Sequence, residues 1–322
     1  MNSNISNSKY ARDEYKARIN SVMDYIEEHI SEELTLKVLA NVACFSPHYF
    51  HRIFGAMVGE TLNSFIQRRR VERAAYKLLV NTDTPITEIA IDHGFSGSAT
   101  FARSFKQMYN MSASEWRIQK LKNSKNCKTP DKIGKGNNTS SVYFNTEQNK
   151  FIWRIEMENK NLTNVEVKEL PEMHLAYVRH TGPYKGDEKL FAGLFEKLFM
   201  WAGPRNLVNF PETKVISVYY DDPEITDESK LRVDACITIP PATMVDGEIG
   251  KSKLPAGKYA VGHFELSADE FEDAWKAMYG IWLPQSGYQP GDSPCFELCL
   301  NDPKEHPKKK HIVDICIPVK PL

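Results

Sequence analysis

The chain has 322 residues, of which 41% are hydrophobic and 26% are charged, and its formal net charge is -1. This length exceeds what one hydrophobic core usually organises, so we expect two domains. No apolar run approaches the roughly 18 residues that span a bilayer, and the polar N-terminus does not resemble a signal peptide. We therefore expect a cytoplasmic protein without a membrane partner.

The charge is distributed unevenly along the chain. Residues 1–120 carry 15 Lys and Arg against 13 Asp and Glu, whereas residues 161–322 carry 18 against 25. A polyanion would therefore meet the first part of the chain.

The motifs of common enzyme and metal sites are absent from the sequence. It has no HExxH motif, no phosphate-binding glycine loop and no Ser/His/Asp set, and its six cysteines form no CxxC pair. We therefore predict no catalytic residue, no metal site and no cofactor.

Composition and apolar spacing divide the chain into four segments. Residues 1–16 read as a polar N-terminal tail, and residues 17–120 have apolar positions at helical spacing with few Gly and Pro. Residues 121–160 are rich in Lys, Asn, Ser, Gly and Thr, which is typical of a linker. In residues 161–322, short β-branched or aromatic runs alternate with turn signals and two helical stretches. The predicted fold is multidomain, with an all-α front and an α+β rear.

An internal repeat organises residues 17–120. The segment LTLKVLANVACFSPHYFHRIF aligns with PITEIAIDHGFSGSATFARSF at an offset of fifty residues, with one inserted residue near the end. Each copy reads as a short helix, a tight turn and a second helix, and Gly94 permits the positive φ that such a turn often requires. The amphipathic segment TLNSFIQRRRVERAAYKLLV joins the copies. The pattern predicts two tandem helix-turn-helix units connected by a long helix.

The second helix of each unit contains the pattern F-x-R-x-F, which fixes its inner face. The remaining face carries Pro47, His48, His51 and Arg52 in the first unit and Ser98, Ala99, Ala102 and Arg103 in the second. Such a helix enters a major groove, and two units about 34 Å apart would read successive grooves. Four arginines of the connecting helix, Arg68, Arg69, Arg70 and Arg73, would add phosphate contacts. The alternative is that these are ordinary surface charges and histidines.

These residues resemble the DNA-binding domain of the AraC/XylS family of bacterial transcription regulators, over about residues 17–118. The segment ITEIAIDHGFSGSATFARSFKQMYNMSASEWR is similar to the C-terminal signature of that family, although Ser112 and Ser114 stand where a Pro is common. The resemblance implies base contacts from His48, His51 and Arg52 in the first unit and from Ser98, Ala99 and Arg103 in the second. It also implies that the sensor is C-terminal, the order of the Rob-like branch.

A second duplication organises the rear part. LPEMHLA at 170–176 matches LPAGKYA at 254–260, and VDACI at 233–237 matches VDICI at 313–317, the second pair at an offset of 80. Each copy predicts two strands, a helix and two strands. In the first copy these elements fall roughly at 164–169, 174–180, 187–202, 214–220 and 232–239. Duplicated halves of this kind usually pack about a pseudo-twofold axis, and the seam between them is a natural cleft.

The rear part is similar to the GyrI-like, or Rob-type, effector-binding domain, over about residues 162–320. This resemblance rests on the segments VISVYYDDP, YGIWLPQSGYQP and CFELCL. In that family a strand glutamate in an aromatic-lined cleft meets ligands. The matching position in this chain is Glu297.

Strand alternation gives Glu297 a physical setting independent of the family. In PCFELCL, Phe296, Leu298 and Leu300 share one face, so Glu297 and Cys299 share the other. The repeat register relates Glu297 to Ser217 and Cys299 to Tyr219. A carboxylate in an aromatic cleft attracts a lipophilic cation, and we expect that cleft to contain Tyr177, Tyr219, Trp275, Tyr279 and Trp282. The alternative is that Glu297 lies on a solvated face and that the aromatic residues are core.

The sequence as a whole predicts a ligand-responsive transcription regulator rather than an enzyme. Its expected partners are promoter DNA, RNA polymerase and a small aromatic or cationic effector. The likeness to GyrI-like domains also implies multidrug binding. Two alternatives stay open. In the first, the rear domain hydrolyses its ligand, with Glu297 as general acid or base. In the second, the rear domain is a docking module that does not sense a ligand.

Overall fold

The computed structural model describes residues 2–81, 83–123, 140–145, 150–155, 164–221 and 226–322. The chain divides into two compact units, of which residues 14–157 form one and residues 158–322 with residues 1–13 form the other. Within the described residues, none of the helices is both long enough and apolar enough to cross a membrane.

Helix α1 spans Asn2–Glu28, so the prediction of a polar tail over residues 1–16 was wrong. Its buried side chains recur every three or four residues and lie on one face. They are Ala11, Tyr15, Ile19, Val22, Met23 and Ile26. Only Ala11 and Tyr15 of this stripe fall within the first 16 residues, and between them Arg12 and Glu14 are half-buried and Asp13 is exposed. A one-sided helix of this composition therefore resembles a tail in sequence.

The predicted tandem helix-turn-helix arrangement is confirmed. The first unit contains α2 (Leu36–Val42) and α3 (Pro47–Val58), and the second contains α5 (Ile86–Asp92) and α6 (Ser98–Tyr109). Helix α4 (Leu62–Val80) connects them, and α7 (Ala113–Asn123) follows. Thr35 and Thr61 cap the N-termini of α2 and α4, because each hydroxyl accepts a backbone N–H three residues on.

Phenylalanine side chains fill the core of both units, as the F-x-R-x-F pattern predicts. Phe50 and Phe54 of α3 are fully buried, and so are Phe101 and Phe105 of α6. The turn of the second unit depends on Gly94, which has φ +79°. A Cβ at this position would lie 2.7 Å from the backbone oxygen of Ile30, so the turn admits only glycine without a shift of the backbone.

The predicted linker, residues 121–160, contains regular structure. Helix α7 extends into it as far as Asn123, and two antiparallel strands follow, β1 (Ser140–Asn145) and β2 (Lys150–Ile155). The rest of the predicted linker lies outside the described residues.

The rear unit contains a large antiparallel sheet with the predicted duplicated order. The first copy consists of β3 (Val165–Leu170), β4 (Met173–Thr181), α8 (Glu188–Ala202), β5 (Val215–Tyr219) and β6 (Arg232–Thr238). The second copy consists of β7 (Gly250–Leu254), β8 (Gly257–Leu266), α9 (Phe271–Ala277), a π-helical turn (Met278–Trp282), α10 (Leu283–Ser286), β9 (Tyr288–Pro290), β10 (Cys295–Cys299) and β11 (His311–Pro321).

The strand order shows how the two copies interlock. The order is β3-β8-β11-β10-β5-β6-β4-β7, with β9 paired to β11. Counted from either edge of the sheet, equivalent strands of the two copies occupy the same place in this order. The first strand of each copy pairs with the second strand of the other copy, because β3 joins β8 and β7 joins β4. Each copy therefore completes the sheet of the other.

Candidate functional site

An approximate twofold axis passes between β5 and β10. These strands are antiparallel neighbours, and their register pairs Ser217 with Glu297 and Tyr219 with Cys295. The 80-residue repeat also relates Ser217 to Glu297. A residue that lies directly opposite its own repeat counterpart in an antiparallel pair lies beside a twofold axis. The predicted seam is therefore at this strand pair, with Glu297 beside the axis.

The Glu297 carboxyl group is buried, with only 5% of the residue exposed. Its Oε1 accepts a hydrogen bond from Trp275 Nε1 at 2.7 Å, and its Oε2 accepts one from Tyr219 Oη at 2.7 Å. Among the described residues no Lys, Arg or His forms an ion pair with it. Burial raises the pKa of Glu297 to about 7, although the two hydrogen bonds act in the opposite direction.

Aromatic rings surround this carboxyl group. The Trp275 ring stacks on Tyr279 with centroids 6.1 Å apart, and it meets the Tyr219 ring edge-on at 6.0 Å. On its other side, Tyr219 contacts Tyr184 at 5.7 Å. Tyr184 lies in the loop before α8, and no pattern in that loop indicates that Tyr184 belongs to the site. The site is therefore an acidic group within an aromatic wall built from both copies.

Two thiols, those of Cys295 and Cys299, flank Glu297 on β10. Cys295 Sγ lies 3.0 Å from Tyr279 Oη. Burial, with a smaller effect of the Glu297 carboxylate, raises the pKa of Cys299 to about 12. Glu297 therefore changes charge near neutral pH, whereas the Cys299 thiol stays neutral there.

The helices expected to meet DNA differ in exposure. On α6, Ser98, Ala99 and Arg103 are all exposed. On α3, His48 and Arg52 are half-buried. The second unit therefore presents the more open helix.

Comparison with known proteins agrees with this arrangement. Residues 39–119 match the profile described as a helix-turn-helix domain, and residues 163–320 match that of the GyrI-like small molecule binding domain. The chain is 33% identical to the regulatory protein SoxS of Salmonella typhimurium over 99 residues, which are 31% of this chain and 92% of SoxS. It is 31% identical to the DNA gyrase inhibitor of Escherichia coli over 145 residues, 44% of this chain and 88% of that protein.

The chain belongs to the AraC family of DNA-binding transcription regulators and carries a C-terminal GyrI-like domain. A third relative, the uncharacterized HTH-type transcriptional regulator YbfP of Bacillus subtilis, is 37% identical over 103 residues, which are 32% of this chain. The chain spans 35% of the length of YbfP, so this likeness covers only part of that protein.

One aromatic residue assigned to the effector site, Tyr177, lies on the opposite face of the GyrI-like sheet. Tyr177 pairs with Cys236, whereas Glu297 is in line with Ser217 and Ala235. Paired residues share a face and neighbours along a strand alternate, so Tyr177 cannot reach Glu297. Its ring packs against the Arg179 guanidinium at 4.9 Å. The assignment of Tyr177 was wrong.

The other aromatic assignments divide into two groups. Tyr219, Trp275 and Tyr279 come together around Glu297, as described above. Trp282 is half-buried at the end of the π-helical turn and, within the described part of the chain, makes no hydrogen bond or ring contact with them. Its assignment stays a prediction.

In the AraC-type domain, His51 is buried rather than exposed. Only 4% of the residue is accessible. His51 precedes Phe54 by three residues and Val58 by seven, so it lies at the border of the inner face of α3. Its prediction as a surface residue was wrong, because the inner face of this helix is wider than the phenylalanine pair indicates.

The four arginines of α4 are held within the AraC-type domain. Arg68 pairs with Glu60 and Glu72. Arg69 and Arg73 both pair with Glu27 of α1, at 2.5 Å and 2.8 Å. Arg70 donates to the backbone oxygens of Ile30 and Glu32. Arg69 and Arg73 thus fasten α4 to α1, and contacts of these arginines with phosphate stay a prediction.

Proposed function

We propose that the GyrI-like domain binds a lipophilic organic cation beside Glu297. The observation that carries the proposal is a buried carboxyl group whose hydrogen-bond donors are a tyrosine and a tryptophan. A buried carboxylate without a counter-ion is unfavourable, and an arriving cation relieves that cost. The faces of Trp275, Tyr279 and Tyr219 attract cations and pack against apolar rings.

The bound cation changes how the AraC-type domain acts on promoter DNA. His48 and Arg52 of the first unit and Ser98, Ala99 and Arg103 of the second contact the duplex. An arginine that grips guanine in a bidentate manner contributes roughly 1–3 kcal/mol of discrimination. RNA polymerase is the expected protein partner. The effector shifts the regulator only if it binds the active and inactive arrangements with different affinity.

Binding of tetraphenylphosphonium, measured by calorimetry at pH 8, tests the effector site. The wild-type protein should bind this cation saturably, and Glu297→Gln should weaken binding at least tenfold. Glu169→Gln is the matched control, because Glu169 is exposed on β3 of the same sheet. Equal affinity of the Glu297→Gln variant and the wild type contradicts the assignment of the site.

Selection of duplexes from a random pool, with and without tetraphenylphosphonium, tests the link between the domains. Enrichment of one sequence class that depends on the cation supports regulation by an effector. Enrichment that is identical in both arms contradicts it, and absence of enrichment contradicts specific DNA binding.

A second candidate function, hydrolysis of the ligand, is favoured by one observation. A carboxyl group with a pKa of about 7 is matched to general acid or base catalysis at neutral pH. Incubation with the acetate ester of 3-(trimethylammonio)phenol distinguishes the two functions. Release of the phenol that is lost in Glu297→Gln supports hydrolysis, whereas binding without product supports a sensor.

A further inference from the structure

The two positions that face each other across the twofold axis carry different side chains. Glu297 and Ser217 are equivalent in the duplication and are directly paired in adjacent strands. Both are buried, with 5% and 3% of the residue exposed. A symmetric site would hold two carboxylates at this point. This chain has one carboxylate and one hydroxyl group.

The side chains that surround Glu297 also differ from those that surround Ser217. Tyr219, which donates to Glu297, has Cys299 as its counterpart in the other copy. Trp275, the second donor, lies on α9 of the second copy. The position that would donate to a carboxylate at Ser217 therefore carries a thiol, which is a weaker donor than the Tyr219 hydroxyl group.

Other carboxylates near the axis point away from the site. Asp234 of β6 and Asp314 of β11 lie on the opposite face, because they are in line with Val218 and Leu298. Asp234 accepts two hydrogen bonds from Arg179 at 2.7 Å, and Asp314 accepts one from His263 at 2.7 Å. Along β5, β6, β10 and β11, all within the described residues, Glu297 is the one carboxylate on its face of the sheet.

We infer that Ser217 restricts the effector site to ligands with a single cationic centre, an inference that rests on the proposed function. A ligand lying across the axis meets a carboxylate on one side and a hydroxyl group on the other. A second positive charge on the Ser217 side would be desolvated without a counter-ion, whereas an apolar ring there is accommodated. The site therefore takes amphiphilic monocations with the charge directed toward Glu297.

A pair of cations of nearly the same shape tests this inference. The ions are 1-methyl-4-phenylpyridinium, with one charge, and 1,1'-dimethyl-4,4'-bipyridinium, with two. Calorimetry on the full chain at pH 8 should give at least tenfold tighter binding of the monocation. Ser217→Glu should reduce this preference at least tenfold, and Ser217→Ala should leave it unchanged, because alanine adds no charge. Ser217→Asp serves if the glutamate variant does not fold.

The possible results separate this inference from the proposed function. If the wild type binds the monocation in a manner that depends on Glu297, but binds the dication equally well, only the role of Ser217 is overturned. A folded Ser217→Glu variant that keeps the wild-type preference overturns it as well. If neither ion binds the wild type, the proposed function and the inference both fail.

Discussion

The buried Glu297 carboxyl group should destabilise the free GyrI-like domain at alkaline pH. Its pKa is about 7 in the folded protein, against 4.5 for an ordinary glutamate. The folded state therefore holds this proton more tightly than the unfolded chain. Its contribution to stability is complete below about pH 4.5 and is lost as the pH rises through 7. The shift corresponds to roughly 3 kcal/mol at most, since one pKa unit is about 1.4 kcal/mol.

The substitution Glu297→Gln isolates this effect, because glutamine resembles the neutral carboxyl group at every pH. Urea unfolding of wild type and variant, followed by tryptophan emission, should give nearly equal midpoints at pH 5. At pH 8 the variant should be more stable by up to roughly 3 kcal/mol, a shift of about 1–2 M urea for an ordinary domain. Glu169→Gln on the exposed edge strand should show no such divergence.

A difference between wild type and Glu297→Gln that is the same at pH 5 and pH 8 refutes this reasoning. It would mean that the carboxyl group titrates near its ordinary pKa, and therefore that solvent or a cation reaches it in the folded protein. A variant that is less stable at both pH values would instead assign Glu297 a structural role through its hydrogen bonds with Tyr219 and Trp275.

Three further predictions follow from the same structure. Affinity for tetraphenylphosphonium should rise about tenfold between pH 6 and pH 8, as calorimetry would record, and Glu297→Gln should abolish this dependence. Gly94→Ala should destabilise the AraC-type domain by about 1–3 kcal/mol in thermal unfolding, because φ is +79° and the backbone of Ile30 blocks the Cβ, whereas Gly97→Ala meets nothing within 4 Å. Arg103→Ala should cost about 1–3 kcal/mol of affinity for the selected duplex in gel-shift titration, and unchanged affinity contradicts a base contact.

Duplication made much of the architecture predictable. The repeats located both helix-turn-helix units and the order of strands and helices in the GyrI-like domain, which the structure confirms. They also placed Glu297 opposite Ser217, because the same offset relates the two strands that meet at the axis. A repeat shows which positions are equivalent, and equivalent positions that lie beside a twofold axis are in contact.

The errors arise where local sequence does not determine the environment. The sequence shows which residues of β4 share a face with Tyr177, but not which face of the sheet that is. The face depends on the register with β6, and a shift of one residue would move Tyr177 to the other face. His51 lies at the edge of a helix face, where neighbouring helices decide burial. Arg69 and Arg73 of α4 read as available cations because their partner Glu27 lies in a distant segment, on α1.

Instability at alkaline pH and affinity for cations have the same physical origin. The free energy lost when the Glu297 carboxyl group ionises without a counter-ion is the free energy that a bound cation can recover. A shift from 4.5 to about 7 bounds this contribution at roughly two orders of magnitude in affinity over a neutral isostere at pH 8. The same contribution must vanish near about pH 4, below the ordinary pKa of 4.5, because a bound cation then no longer holds the carboxyl group ionised. A cation whose advantage over its neutral isostere persists undiminished at about pH 4 therefore binds elsewhere on the protein.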